Sequence, residues 1–90
     1  MEQIKFLEMV PELMKIIKEA IESFPVGEIF SVAKCIPSQF YRTLTRGNKS
    51  TLGSIFFDQF TEGLFPNVIY VGNGTSGSLR DVCLYKKIKG

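Results

Sequence analysis

The sequence predicts an α+β fold, helices first and a hairpin last, on three observations. Apolar residues recur at three- and four-residue spacing through residues 3–24 and again through 52–60. Between these helical stretches lie Pro25, Gly27, Pro37, Gly47 and Asn48, which punctuate short elements. The run Val68-Ile69-Tyr70-Val71 favours a strand, and after a glycine-rich segment the residues 79–88 return as a second one. The resulting order, α-β-α-α-β-β, is that of a winged helix, a helix-turn-helix with a C-terminal β-hairpin wing.

In the first helix Leu7, Val10, Met14, Ile17, Ile21 and Phe24 make one stripe, and Phe6, Met9, Leu13, Ile16 and Ala20 make another beside it. Pro11 lacks an amide hydrogen and disfavours helix at Val10, so the regular helix is expected to start near Pro11, with residues 1–10 as an arm or kinked start. Two stripes are wide for one small core. Either the domain wraps both, or Phe6, Met9, Leu13 and Ile16 dock a partner or a second copy in a homodimer through this helix.

Glu28-Ile29-Phe30 reads as a small strand. Ser31 caps a short helix over residues 31–36 that Pro37 ends, and residues 38–44 form a further turn or two. Residues 41–63 then organise the chain. Gly47-Asn48 supplies a turn, Asn48 or Ser50 the cap, and Leu52, Ile55, Phe56 and Phe60 the buried face of a central helix that Gly63 and Pro66 stop. Gly53 within it costs about 1 kcal/mol relative to Ala. Close packing against residues 31–36, or close approach of a nucleic-acid backbone, would explain it. Residues 72–78 read as a flexible loop at the tip of the wing.

Ninety residues, 44% hydrophobic with eight Phe and no Trp, make one globular domain spanning 1–90. The net charge of +2 is unevenly placed: −2 over residues 1–24, +1 over 25–66 and +3 over 67–90. Cys35 and Cys83 are too few for a disulfide framework, and without His there is no usual zinc set, so both read as small buried hydrophobes of an intracellular protein. No apolar run reaches membrane-spanning length and the acidic N-terminus is no signal peptide, which leaves the cytoplasm. No nucleophile elbow, phosphate loop or metal set is present in the sequence; neither enzyme activity nor a cofactor is expected.

Residues 29–57 contain no acid but carry Lys34, Arg42, Arg46 and Lys49. Four such cations are either ordinary solubilising surface or a phosphate-binding face gathered at the start of a helix. Lys49, Ser50 and Ser54 fall on the solvent side of the central helix. Arg42 and Arg46 flank the turn before it, and Arg forks onto phosphate where Lys offers a point charge. In the last strand Arg80 and Lys87 extend the positive surface, with Lys87 and Lys89 on the same strand face as Tyr85. A face of cations and rings suits unpaired bases, although Tyr70 and Tyr85 also fit as half-buried sheet residues. The candidate nucleic-acid contacts are therefore Lys34, Arg42, Arg46, Lys49, Ser50, Ser54, Arg80 and Lys87.

Tyr41-x-x-Leu44-x-x-Gly47, Leu52-Gly53-x-x-Phe56-Phe57-x-x-Phe60, Gly63, Pro66-Asn67-Val68 and the terminal Tyr85-Lys86-Lys87-Ile88 resemble a family of small domain-of-unknown-function proteins of phages and mobile elements. Departures are Tyr41 in place of Trp, Ser54 in place of Arg or Lys, and the long glycine segment. That family is similar to the winged-helix "middle protein" accompanying an A-family DNA polymerase in cassette-type replication modules. The resemblance implies a non-catalytic replication accessory protein that binds single-stranded DNA and a polymerase, or another replication protein, to support priming. Two other readings remain: a dimeric winged-helix transcription regulator on duplex DNA, and a protein-docking module without nucleic acid.

Overall fold

A computed structural model describes residues 3–76 and 79–90, with side chains over 5–75 and 82–90. Helix α1 (Gln3–Ser23) runs unbroken through Pro11 rather than starting there. An interior proline costs about 3 kcal/mol. Against that, the turns before it bury Phe6 completely and lay Met9 and Val10 on the core, and one fully buried Phe contributes about 1.5–3 kcal/mol. Tertiary packing therefore carries the helix across its weak point, and residues 3–10 are helix, not arm.

Strand β1 (Ile29–Phe30), a 3-10 turn (Val32–Cys35) and the single-turn helix α2 (Ser38–Tyr41) follow. The expected short helix over residues 31–36 is thus the tighter 3-10 form, held by Lys34 N–H donating to Ser31 O and Ile36 N–H to Ala33 O. Helix α3 (Arg46–Thr61) begins earlier than the sequence suggested. Its cap is Thr45, whose Oγ1 accepts from Asn48 N–H at 3.0 Å, so Gly47 and Asn48 lie inside the first turn and Asn48 is buried. Gly63, at φ +88°, ends the helix as expected: its N–H donates to Phe60 O and that of Leu64 to Gln59 O.

Strands β2 (Val68–Ser76) and β3 (Leu79–Lys87) complete a three-stranded antiparallel sheet of order β1-β3-β2. Residues 72–76, expected as loop, are strand: Gly72, Asn73, Gly74 and Ser76 pair with Leu84, Cys83, Val82 and Leu79. The glycines work here as register shifters. One irregularity falls between Tyr70 and Gly72, where Gly72 takes φ +120°, and a second between Gly74 and Ser76. Residues 77 and 78 of the expected wing tip lie outside the described residues.

Register sorts the sheet into two faces. Phe30, Tyr85 and Tyr70 stand in one cross-strand row, their rings 5.9 Å and 5.7 Å apart, facing α3. Ile29, Lys86 and Ile69 form the opposite row, in which both isoleucines are exposed. Helix α3 seats Phe56 edge-on to Tyr85 at 4.8 Å and Phe60 at 5.4 Å, and Phe65 closes on Phe56 from the connection. Helix α1 packs Phe6, Leu13, Met14, Ile17 and Ile21 into the same core. The chain is thus mixed α+β, with three α-helices and one antiparallel sheet among the described residues.

Both stripes of α1 contribute to that core. Of the four residues considered for a docking face, Phe6 and Leu13 are fully buried, and Met9 and Ile16 are half-buried. The core covers much of the wide face, while Leu7 remains exposed. Of the two cysteines Cys35 is buried as expected, its thiol 3.6 Å from Ser31 O, but Cys83 is exposed.

Candidate nucleic-acid interface

A groove of about 540 Å³ opens between α3 and the β2–β3 hairpin. One helical face, Lys49, Ser50, Gly53, Ser54, Phe57 and Asp58, forms its first wall, and Tyr70, Asn73, Val82, Cys83 and Tyr85 form the other; residues 31–33 and Tyr41 close it. From Lys49 to Asp58 the helix rises about 13 Å, which sets the length of the groove.

Three of the sequence-predicted residues meet here: Lys49, Ser50 and Ser54. The Lys49 ammonium lies over the Tyr41 ring, 4.7 Å from its centroid, a contact contributing about 0.5–1 kcal/mol while leaving the charge at the rim. Burial pushes the Tyr41 hydroxyl above its ordinary pKa, so it remains a neutral donor. Arg42 and Arg46 are exposed on the approach to α3, one after α2 and one in the first turn of α3. Neither lines the groove.

Lys34 stands apart from this group. Its ammonium pairs with the Glu28 carboxylate at 3.1 Å and sits 5.7 Å from the Phe24 ring, so its charge is offset. Lys87 is further removed still. It is 3% exposed and points into the core beside Tyr85, donating to Glu22 O at 2.9 Å and Phe24 O at 2.7 Å. Its expected place on the binding surface is corrected by these bonds: the ammonium serves the end of α1. The Arg80 side chain lies outside the described residues.

The sequence reading gave less weight to the aromatic side of the groove. Phe57 is 37% exposed and Tyr70 41%, and they meet edge-on at 5.8 Å across the helix–hairpin boundary. Tyr70 is held there by donating its hydroxyl to Asn73 Oδ1. Register was the available signal: a Tyr70 paired with Tyr85 must face α3, yet on the outer strand its ring stays open to solvent.

Close packing against residues 31–36 does not account for Gly53. Apart from the adjoining backbone of its own helix, no atom lies within 4 Å of where a β-carbon would stand, and the position lines the groove. Beneath it Tyr85 is fully buried, and its hydroxyl is the buried side-chain polar atom without a hydrogen-bond partner among the described residues. Burial first, then the neighbouring Cys83 and Tyr70, push this phenol well above its ordinary pKa. No three His, Cys, Asp or Glu among the described residues gather as a metal site, and no described helix is long and apolar enough to cross a membrane.

No family model matches the sequence, and no curated protein is similar to it at a significant level. The fold is similar to that of a solved structure described as the SCCmec type IV LP1413 nucleic acids binding protein, with a TM-score of 0.61 and 17% identity over 90% of this chain and 88% of that chain. At that identity the likeness is one of fold: this chain shares the α+β architecture of the SCCmec protein along nearly its whole length.

Proposed function

We propose that the chain is a non-catalytic, single-strand-binding accessory protein of mobile-element or phage DNA replication, built as a winged helix. Helix α3 is its recognition helix and the β2–β3 hairpin its wing. The observation that carries this reading is the groove, in which Lys49 of the first half of α3 and the exposed rings of Phe57 and Tyr70 face the same space. Rings of that kind stack unpaired bases without regard to sequence, and cations beside them track the backbone. The hairpin packs onto α3 through Tyr70 and Phe57, so this face of the helix is shared with the wing rather than open to a duplex groove. The SCCmec protein of like fold is itself described as binding nucleic acids, which favours the same class of ligand.

Arg42, Arg46, Lys49, Ser50 and Ser54 are the backbone contacts in this reading, with Arg80 extending them along the wing. A protein partner, such as an A-family polymerase or another replication protein, has the outer sheet face available, where Ile29, Ile69, Val71 and Ile88 are exposed.

Fluorescence anisotropy with single- and double-stranded oligonucleotides tests the proposal. Single strands should bind more tightly than duplex, with log affinity falling by about 0.7 per phosphate contact per decade of salt. Replacing Arg46 and Lys49 together by Glu should weaken binding at least tenfold and flatten that slope. Affinity indifferent to salt and to both substitutions rejects it.

A further inference from the structure

We infer that the groove receives one unstacked nucleobase of the bound strand, laid along α3 over Gly53, with the flanking phosphate kept at the Lys49 rim. The inference rests on the single-strand reading above and adds which part of the strand enters and where.

The contents of the groove decide between base and backbone. Among the described residues Lys49 is the one cation lining it, and Asp58 lies at the far end of the same helix face. A phosphate drawn deep inside would leave Lys49, pass between rings and approach a carboxylate. At the rim it meets Lys49, with the exposed Arg46 on the preceding turn. A base has the opposite preference. Phe57 and Tyr70, both partly exposed, offer apolar ring surface to a flat π-system, while the Tyr41 ring carries the Lys49 ammonium.

Polar groups are placed for the edges of that base. The Asp58 carboxylate accepts from a ring N–H, such as thymine N3–H, or from an exocyclic amine, the Ser54 hydroxyl donates or accepts, and Asn73, its carboxamide oxygen engaged by Tyr70, presents amide donors. Tyr85 also lines the groove, with its hydroxyl buried. Gly53 provides the room. On a helix wall bearing side chains on either side it leaves a bare strip with nothing but the adjoining backbone of its own helix within 4 Å of the missing β-carbon. The volume, about 540 Å³, falls in the range of roughly 300–1,000 Å³ that small-molecule sites occupy.

Anisotropy measurements on the full chain, with a short oligothymidylate and the same strand built entirely of abasic spacers, separate this proposal from the one it rests on. Wild type should hold the base-bearing strand about tenfold more tightly, as expected for a stacked base. Gly53→Leu, which fills the bare strip, should bring that strand down to the affinity of the abasic one. Ser54→Leu loads the same wall from an exposed position and reads out the same way if Gly53→Leu fails to fold. Equal binding of the two strands by wild type, or a base preference that survives both substitutions, overturns the base site while leaving single-strand binding in place. If neither strand binds, both proposals fall.

Discussion

The ammonium of Lys87 lies 2.7 Å from the carbonyl oxygen of Phe24, so the last residue of β3 supplies the positive charge that the end of α1 needs. A second bond, to Glu22 O, fixes the geometry. The last turn of α1 has no basic residue of its own, and the carbonyls at a helix C-terminus carry partial negative charge.

Lys87→Met should therefore destabilise the fold by about 2–3 kcal/mol, since buried carbonyls lose a charged donor. Urea denaturation measures it. Binding of single strands by the remaining folded protein should be unchanged, because the side chain never reaches the groove.

Thr45→Ala removes the hydroxyl that accepts from Asn48 N–H. A loss of about 1 kcal/mol is expected from the cap, whereas Ser50→Ala, an exposed position one turn later, should stay within about 0.5 kcal/mol. Thermal denaturation of the two variants distinguishes them.

Gly53→Ala should stabilise the protein by up to about 1 kcal/mol, because the added methyl meets nothing beyond its own helix and the helix gains propensity. Gly72→Ala should do the reverse by about as much or more, since φ +120° is a conformation that L residues rarely adopt. Opposite shifts in melting temperature are the expected result.

Alkaline pH should destabilise the fold. Burial pushes the Cys35 thiol from an ordinary 9.0 up to about 12, Lys34 opposing this only in part. Above pH 9.0 the unfolded chain loses this proton while the folded one keeps it, so stability falls as pH rises, by up to about 1.4 kcal/mol per unit until pH 12 is neared. The raised Tyr85 hydroxyl adds to the fall above its own ordinary value of 10.0. Cys35→Ala should lower stability at neutral pH but flatten the profile between pH 9 and 10, which denaturation titrations across this range would show.

What could be read from the sequence was what neighbours along the chain decide. The spacing of Leu52, Ile55, Phe56 and Phe60 defines α3, and the β-branched run at Val68 defines β2, because both patterns are local. Long-range packing settled the rest. Pro11 argues locally against helix, but a buried Phe6 outweighs it. Thr45 and Asn48 can each cap a helix, and burial of Leu44 just before Thr45 accompanies the earlier start. Glycines at 72 and 74 read as loop until β3 is there to pair with them. For the site, Lys49, Ser50 and Ser54 were legible from helical phase. Lys87 was misplaced by its charge, although its phase with Tyr85 contained the answer: a residue two along from a buried ring shares that ring's side of the sheet.

The pairing of Ile29 with Lys86, and of Lys87 with the end of α1, has a consequence for biosynthesis. Residues more than fifty positions apart must both exist before β1 has a neighbour, α1 has its terminating charge, or Phe30 has the Tyr85 ring beside it. A nascent chain ending short of Tyr85 can form helical segments but has no centre for them to collapse around. Acquisition of the native state thus waits on translation of the last strand, whose pairings close the sheet over Phe30 and Phe56.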